Sequence, residues 1–229
     1  SASHNPVQDN GIKIFSHSGY KLSDAQEEAI EALLDVMDEL PRPVGGEIGR
    51  VEDYHLGAKE YVEHLETTIS NKLTGLKVVL DCANGASSTL APQLFKDLGA
   101  EVISIYHQPD GININESCGS THPEMLATEV VKHEAHLGFA FDGDADRLIA
   151  VDHTGAIIDG DYIMFIVGRY LNEKDLLNHG TVVSTVMSNL GFYNAIEANG
   201  LQSVQTKVGD RYVLEEMLAN GYNFGGEQS

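Results

Sequence analysis

"FAFDGDADRLIAVD", residues 139–152, sets Asp142, Asp144 and Asp146 at alternate positions between two apolar runs, with Arg147 directly after the last. Carboxylates spaced like this repel one another unless a cation or a cluster of basic groups neutralises them. The stretch therefore asks for a metal. Gly143 and Ala145 are the only spacers, and both are small enough to let the loop fold tightly round an ion. Three carboxylates suit a hard, oxygen-loving cation such as Mg²⁺ and leave coordination positions for a phosphate oxygen or water, which implies phosphoryl chemistry.

Other readings of the stretch fit less well. An EF-hand loop requires Gly at its sixth position and Glu at its twelfth, where this chain has Arg147 and His153. A haloacid-dehalogenase site also places D-x-D after an apolar strand, but it wants Thr or Val where Asp146 stands. A solvated acidic turn is the bland alternative, and such turns seldom lie between two apolar strands.

On the N-terminal side, strand and helix patterns alternate. "LKVVLDC" reads as a strand, residues 88–98 as a helix ending at Gly99, "EVISIY" as a strand, 123–135 as a helix with Pro123 in its first turn, and "LGFAF" as a strand. After the aspartates the pattern restarts with "RLIAVD", a helix through "DYIMFIVGRYLNEK", "GTVVSTV", a helix over 191–199, "LQSVQT" and a helix over 210–220. Further upstream, "LSDAQEEAIEALLDVMDEL" has Ser23 as N-cap, Gln26 three residues on, and Ile30, Leu33, Leu34 and Met37 at helical spacing. "PRPVGGEIGRVED" then marks a domain boundary within 41–53, before a second helix over 54–71. The fold class predicted is α/β, with a mostly parallel sheet and two α/β units flanking the aspartates. Ligands of open α/β sheets sit at the carboxyl ends of the strands, where "LGFAF" delivers these carboxylates.

Composition narrows the classes of function. With 35 acidic and 14 basic residues the formal charge is -21, which argues against nucleic acid and anionic membrane as partners. Cys82 and Cys118 match neither a disulfide framework nor a zinc spacing, and no signal peptide or membrane-length apolar run is present. These features predict a reduced, cytoplasmic protein. The opening at Ser1 and the close on "FGGEQS" predict a fragment of a longer protein.

Three further clusters carry candidate chemistry. "SASHNPVQDNGIKIF" places Ser3 before His4 and the Asn5–Pro6 break, with Lys13 following; taken alone, Ser3 reads equally well as a turn residue. No G-x-S-x-G elbow surrounds it. In "TKVGDRYV" Gly209 and Asp210 can simply cap a helix, and in "GGEQS" Glu227 can grip hydroxyl groups.

In this order, "SASHNP", "NGIK", "DGDADR", "VGDRYV" and "GEQS" resemble the α-D-phosphohexomutase superfamily over the whole chain, and the wording is closest to its branch acting on glucosamine phosphate. The resemblance implies consecutive mixed or parallel-sheet α/β domains: residues 1–48 as the end of a first domain with the serine loop, 49–152 as a second with the metal loop at its end, and 153–229 as a truncated third. A fourth, phosphate-binding domain is absent, so this piece alone is expected to be inactive. The resemblance also implies that Ser3 is the phosphoserine and a metal ligand, that Asp142, Asp144 and Asp146 hold Mg²⁺, and that Arg147 pairs with the phosphate. Lys13 becomes the general acid/base, His4 supports the serine loop, and Glu227, Ser229, Asp210 and Arg211 meet the substrate. Some relatives have His where this chain has Asp210, so a His role does not transfer there.

The reaction implied is glucosamine 6-phosphate to glucosamine 1-phosphate through a bisphosphorylated intermediate, feeding amino-sugar nucleotide and cell-wall precursor synthesis. Its partner is a phosphosugar, neither nucleic acid nor membrane is involved, and a homodimer is possible. Two alternatives stay open at this level: the same chemistry on glucose or mannose phosphate, and an inactive metal-binding module.

Overall fold

The run KVVLD forms a central strand, β1 (Lys77–Asp81), buried from Val78 to Asp81. Alternate residues of a strand face opposite sides, so Val79 joins Leu126, Val130, Ala140 and Val151 in one core, while Val78 and Leu80 join Cys82, Ala91 and Ala100 in another. A strand covered on both faces reads as an unbroken apolar run, which is why this one was legible.

The computed structural model describes residues 1–228. Around β1 lie β2 (Glu101–Ile105), β3 (Leu137–Phe141), β4 (Leu148–Asp152) and β5 (Ile157–Ile158), in the order β2-β1-β3-β4-β5. β1 is parallel to β2 and β3, whereas β4 runs antiparallel to β3 and β5 antiparallel to β4. α2 (Gly57–Thr67) and α3 (Ser87–Asp97) cover one side of this mixed sheet and α4 (Glu124–Lys132) the other.

"RLIAVD" therefore does not restart a parallel pattern. It folds back on β3 with Leu148 opposite Phe141. The loop over 142–147 is too short for a parallel crossover, which needs a dozen or more residues, so the next strand must be antiparallel.

A second, two-stranded parallel sheet pairs β6 (Thr181–Thr185) with β7 (Gln202–Thr206). α5 (Gly160–Glu173), α6 (Leu190–Ala198) and α7 (Asp210–Asn220) pack around it over Met164, Leu177, Val182, Phe192, Ile196 and Leu201. The C-terminal stretch lies along β6: the Val183 amide donates to Phe224 O at 3.1 Å, and the Gly226 amide donates to Val183 O at 3.0 Å.

α1 (Asp24–Asp35) begins at the predicted capping box of Ser23 and Gln26 and ends short of Met37, which enters a 3₁₀ turn. Its apolar residues Ile30, Leu33 and Leu34 are exposed. α2 is shorter than predicted, and near its end the hydroxyls of Thr67 and Thr68 bond back to His64 O and Leu65 O at 2.7 Å, competing with the helical ladder. Both cysteines are free and buried, and burial pushes their thiols up, to about 11 for Cys82 and about 12 for Cys118. Among the described residues no helix is long and apolar enough to cross a membrane.

Candidate active site

β1 connects onward to β2 on one side, while β3 lies on its other side, so the carboxyl ends of β1 and β3 form the switch point of the sheet. The loops leaving these two strands touch there, with the Ala86 amide donating to Gly143 O at 2.9 Å. The aspartate loop turns through Ala145 at φ 62, a left-handed conformation uncommon outside glycine. This bend gathers one carboxylate oxygen from each of Asp142, Asp144 and Asp146 to within 4.8 Å of one another.

The serine loop meets this cluster from the far end of the chain. Ser3 Oγ donates to Asp142 Oδ2 at 3.4 Å, across 139 residues of sequence, and His4 Nδ1 lies 3.5 Å from the same Oγ. Asp142 is buried and also accepts the Arg147 amide at 3.1 Å. Burial pushes its carboxyl up; the Arg147 amide opposes this, and the charges of Asp146 and Asp144 reinforce it.

Lys13 comes from the far end of the chain as well. Its ammonium enters the carboxylate cluster, 2.5 Å from Asp144 Oδ2 and 2.8 Å from Asp146 Oδ2. Those two hydrogen bonds raise its pKa and hold it as a cation. Burial alone would raise Asp144, but hydrogen bonds from Lys13 and Ser1 outweigh it and bring the carboxyl down to about 2. The like charges need a counter-charge, and within this chain Lys13 supplies one.

The residues suit a divalent cation. The donor set is entirely carboxylate and hydroxyl oxygen, the choice of Mg²⁺ and similar hard ions. Asp144 Oδ1 is buried with no hydrogen-bond partner among the described residues, an acceptor left for a ligand of positive charge.

A cleft of about 520 Å³ opens from this cluster, with Ser3, Lys13 and Arg147 on one side and Asp210 and Glu227 on the other. Among the described residues no carboxylate pairs with the Arg147 guanidinium. Glu227 Oε1 accepts the Gly209 amide at 2.8 Å, tying the "GEQ" turn to the start of α7. Asp210 receives Lys21 Nζ at 2.6 and 2.9 Å, and Lys21 lines the same cleft.

Arg211 is not brought to this cleft. Its guanidinium pairs with Asp24 at 2.5 Å and Glu215 at 3.0 Å, because successive helical residues point about 100° apart and Asp210 takes the inward direction. Ser229 lies outside the described residues. Sequence reading missed Lys21 and Asn115: Lys21 meets its partner 189 positions away, and Asn115 stands in an unremarked loop, "GININESCGS".

Behind the site, Asp81 ends β1 wholly buried, its carboxylate accepting the amides of Ala83 and Gly119 at 2.9 Å each. Burial pushes its pKa up from 3.8 to about 6 against the lowering effect of those amides. The folded chain then binds this proton more tightly than the unfolded chain. The contribution is fully present below pH 3.8 and is lost as pH rises through about 6, on the order of 3 kcal/mol. In urea titrations of the full-length protein, Asp81→Asn is expected to flatten the fall in stability between those pH values. Identical pH dependence in wild type and variant would refute the assignment.

Comparison with known proteins gives the same chemistry a family. Models of the phosphoglucomutase/phosphomannomutase alpha/beta/alpha domains I, II and III match residues 1–40, 59–155 and 159–229. The chain is 59% identical over 230 residues to a phosphoglucosamine mutase of Lysinibacillus sphaericus and 60% identical to one of Anoxybacillus flavithermus, each across 100% of this chain. It spans 51% and 52% of those two proteins, about half the length of the curated relatives it matches. A crystal structure of a phosphoglucomutase/phosphomannomutase family protein from Burkholderia thailandensis superposes with a TM-score of 0.83 at 28% identity, over 100% of this chain and 48% of that one. With the serine loop, the aspartate loop and all three domain models in chain order, the chain belongs to the phosphoglucomutase/phosphomannomutase family, within the α-D-phosphohexomutase superfamily.

Proposed function

We infer that the full-length protein interconverts glucosamine 6-phosphate and glucosamine 1-phosphate, with Ser3 as the carrier of the phosphoryl group. The observation that carries this reading is the meeting of Ser3 Oγ with Asp142 Oδ2 at 3.4 Å in a cleft that also holds Lys13 and Arg147. Two relatives named phosphoglucosamine mutases share 59% and 60% of their aligned residues with this chain, which favours the amino sugar.

In the forward half-reaction a hydroxyl oxygen of the bound sugar phosphate attacks the phosphorus on Ser3. The new sugar O–P bond forms, the Ser3 Oγ–P bond breaks, and the hydroxyl proton leaves to a base in the cleft. Lys13 is the group placed to move that proton. Held as an ammonium by Asp144 and Asp146, it donates in this arrangement, and it accepts only once those carboxylates are engaged elsewhere. The Arg147 guanidinium, with no carboxylate partner among the described residues, matches two phosphate oxygens. Glu227 and Asp210 face it across the cleft and offer acceptors to sugar hydroxyls. Asp142, Asp144 and Asp146, with the oxygen on Ser3, would hold a Mg²⁺ ion, which supplies charge stabilisation for the phosphoryl group in flight. The sugar bisphosphate then turns over and returns its other phosphoryl group to Ser3, so the enzyme ends each cycle phosphorylated.

The test is relative turnover of glucosamine, glucose and mannose 6-phosphates by the full-length protein, with Ser3 phosphorylation followed by mass. Glucosamine 6-phosphate is expected to give the highest kcat/KM. A higher value for glucose or mannose phosphate would overturn the sugar assignment, and the absence of phosphate on Ser3 would overturn the mechanism.

A further inference from the structure

The serine loop is held in a backbone conformation it would not choose for itself. Ser3 sits at φ 51, the left-handed region that costs an ordinary L-residue about 1–2 kcal/mol. Something outside the loop must hold it there. Two groups grip the Ser3 carbonyl: the Gly143 amide at 3.0 Å and the side-chain amide of Asn115 at 2.6 Å. The same Asn115 Nδ2 also donates to Asn5 O at 2.8 Å, so both of its protons are used on the two residues flanking His4.

We propose that Asn115 is a positioning residue for phosphoryl transfer, clamping the serine loop so that the Ser3 hydroxyl faces Asp142. The inference rests on the reading that Ser3 carries the phosphoryl group.

The surroundings fix the clamp. Asn115 is 7% exposed, and its own backbone lies in the left-handed region at φ 57, which Asn tolerates better than most residues. Its amide donates to Ala83 O at 2.9 Å, just past β1, and four residues on the Gly119 amide is held by the buried Asp81 carboxylate. The clamp is thus anchored to the central strand. Space at the junction is also closed: a Cβ on Gly143 would lie 2.5 Å from Ser3 O and 2.8 Å from Asn115 Nδ2. Serine loop, aspartate loop and Asn115 meet at one point, and Asn115→Ala leaves Asn5 O without that donor and Ser3 O with the Gly143 amide alone.

The experiment uses the full-length protein with Asn115→Ala and the near-isosteric Asn115→Asp, which keeps the shape and lacks the donors. The rate at which Ser3 accepts phosphate from a hexose 1,6-bisphosphate is followed by intact mass. Transfer and kcat are expected to fall by up to about a hundredfold, the loss that follows a misplacement of about 1 Å. KM for the sugar phosphate and Mg²⁺ affinity by calorimetry should stay within about threefold, since Asn115 touches neither. Amide exchange at Gly143 should accelerate while exchange in α4 and β1 is retained. Wild-type loading of Ser3 in both variants would overturn the proposal, as would a loss confined to KM or Mg²⁺ affinity. If wild-type protein itself never loads Ser3, the phosphoserine reading fails, and exchange at Gly143 still judges the clamp: unchanged protection refutes it.

Discussion

Ser3→Ala in the full-length protein is expected to abolish mutase turnover, by at least about a thousandfold, and to remove the phosphate adduct from the intact mass. The argument is covalent. A phosphoryl group that leaves one sugar oxygen and arrives at another needs a carrier between the two events, and a mechanism split this way has no residual route when the carrier oxygen is gone. Ser3 is the hydroxyl donating to Asp142, with His4 at 3.5 Å and Lys13 engaged in the same carboxylate cluster. Folding should be little changed, because Ser3 is held through its carbonyl, which alanine retains. Retained turnover with an intact circular dichroism spectrum would sink the phosphoserine assignment.

Asp142→Ala is expected to weaken Mg²⁺ binding at least about tenfold and to lower kcat by about 10²–10³-fold, the loss typical when a preorganised group opposite developing charge is removed. Asp142 is the most buried of the three carboxylates, and it touches both the Ser3 hydroxyl and the Arg147 amide. Truncation leaves those donors unpaired, which adds about 1–3 kcal/mol of destabilisation. Calorimetric titration with Mg²⁺ separates the two effects. Unaltered metal affinity in a folded Asp142→Ala protein would remove Asp142 from the ligand set.

Much of this protein was legible in its sequence because the signals are local. The capping box of Ser23 and Gln26, the apolar run of β1 and the alternation of strands and helices each depend on neighbours a few residues apart. The D-G-D-A-D-R spacing predicted a carboxylate cluster, and the bend at Ala145 produces one. The motif order also predicted the family that the domain models match.

Tertiary structure alone decided where the chain's few cations and amides would act. Lys13 enters the carboxylate cluster from 131 residues away, since unbalanced carboxylates attract an ammonium brought near by the fold. Arg211 turns away to Asp24, Lys21 reaches Asp210, and Asn115 grips the serine loop from 112 residues away. β4 reverses on β3, so the strand after the aspartates runs antiparallel in the existing sheet. Sequence determined which groups were available, because propensity and periodicity act over a turn or a strand. Their partners were decided by the fold, because hydrogen bonds and close ion pairs act over a few ångströms, and only chain packing brings residues 3, 115 and 142 within that range.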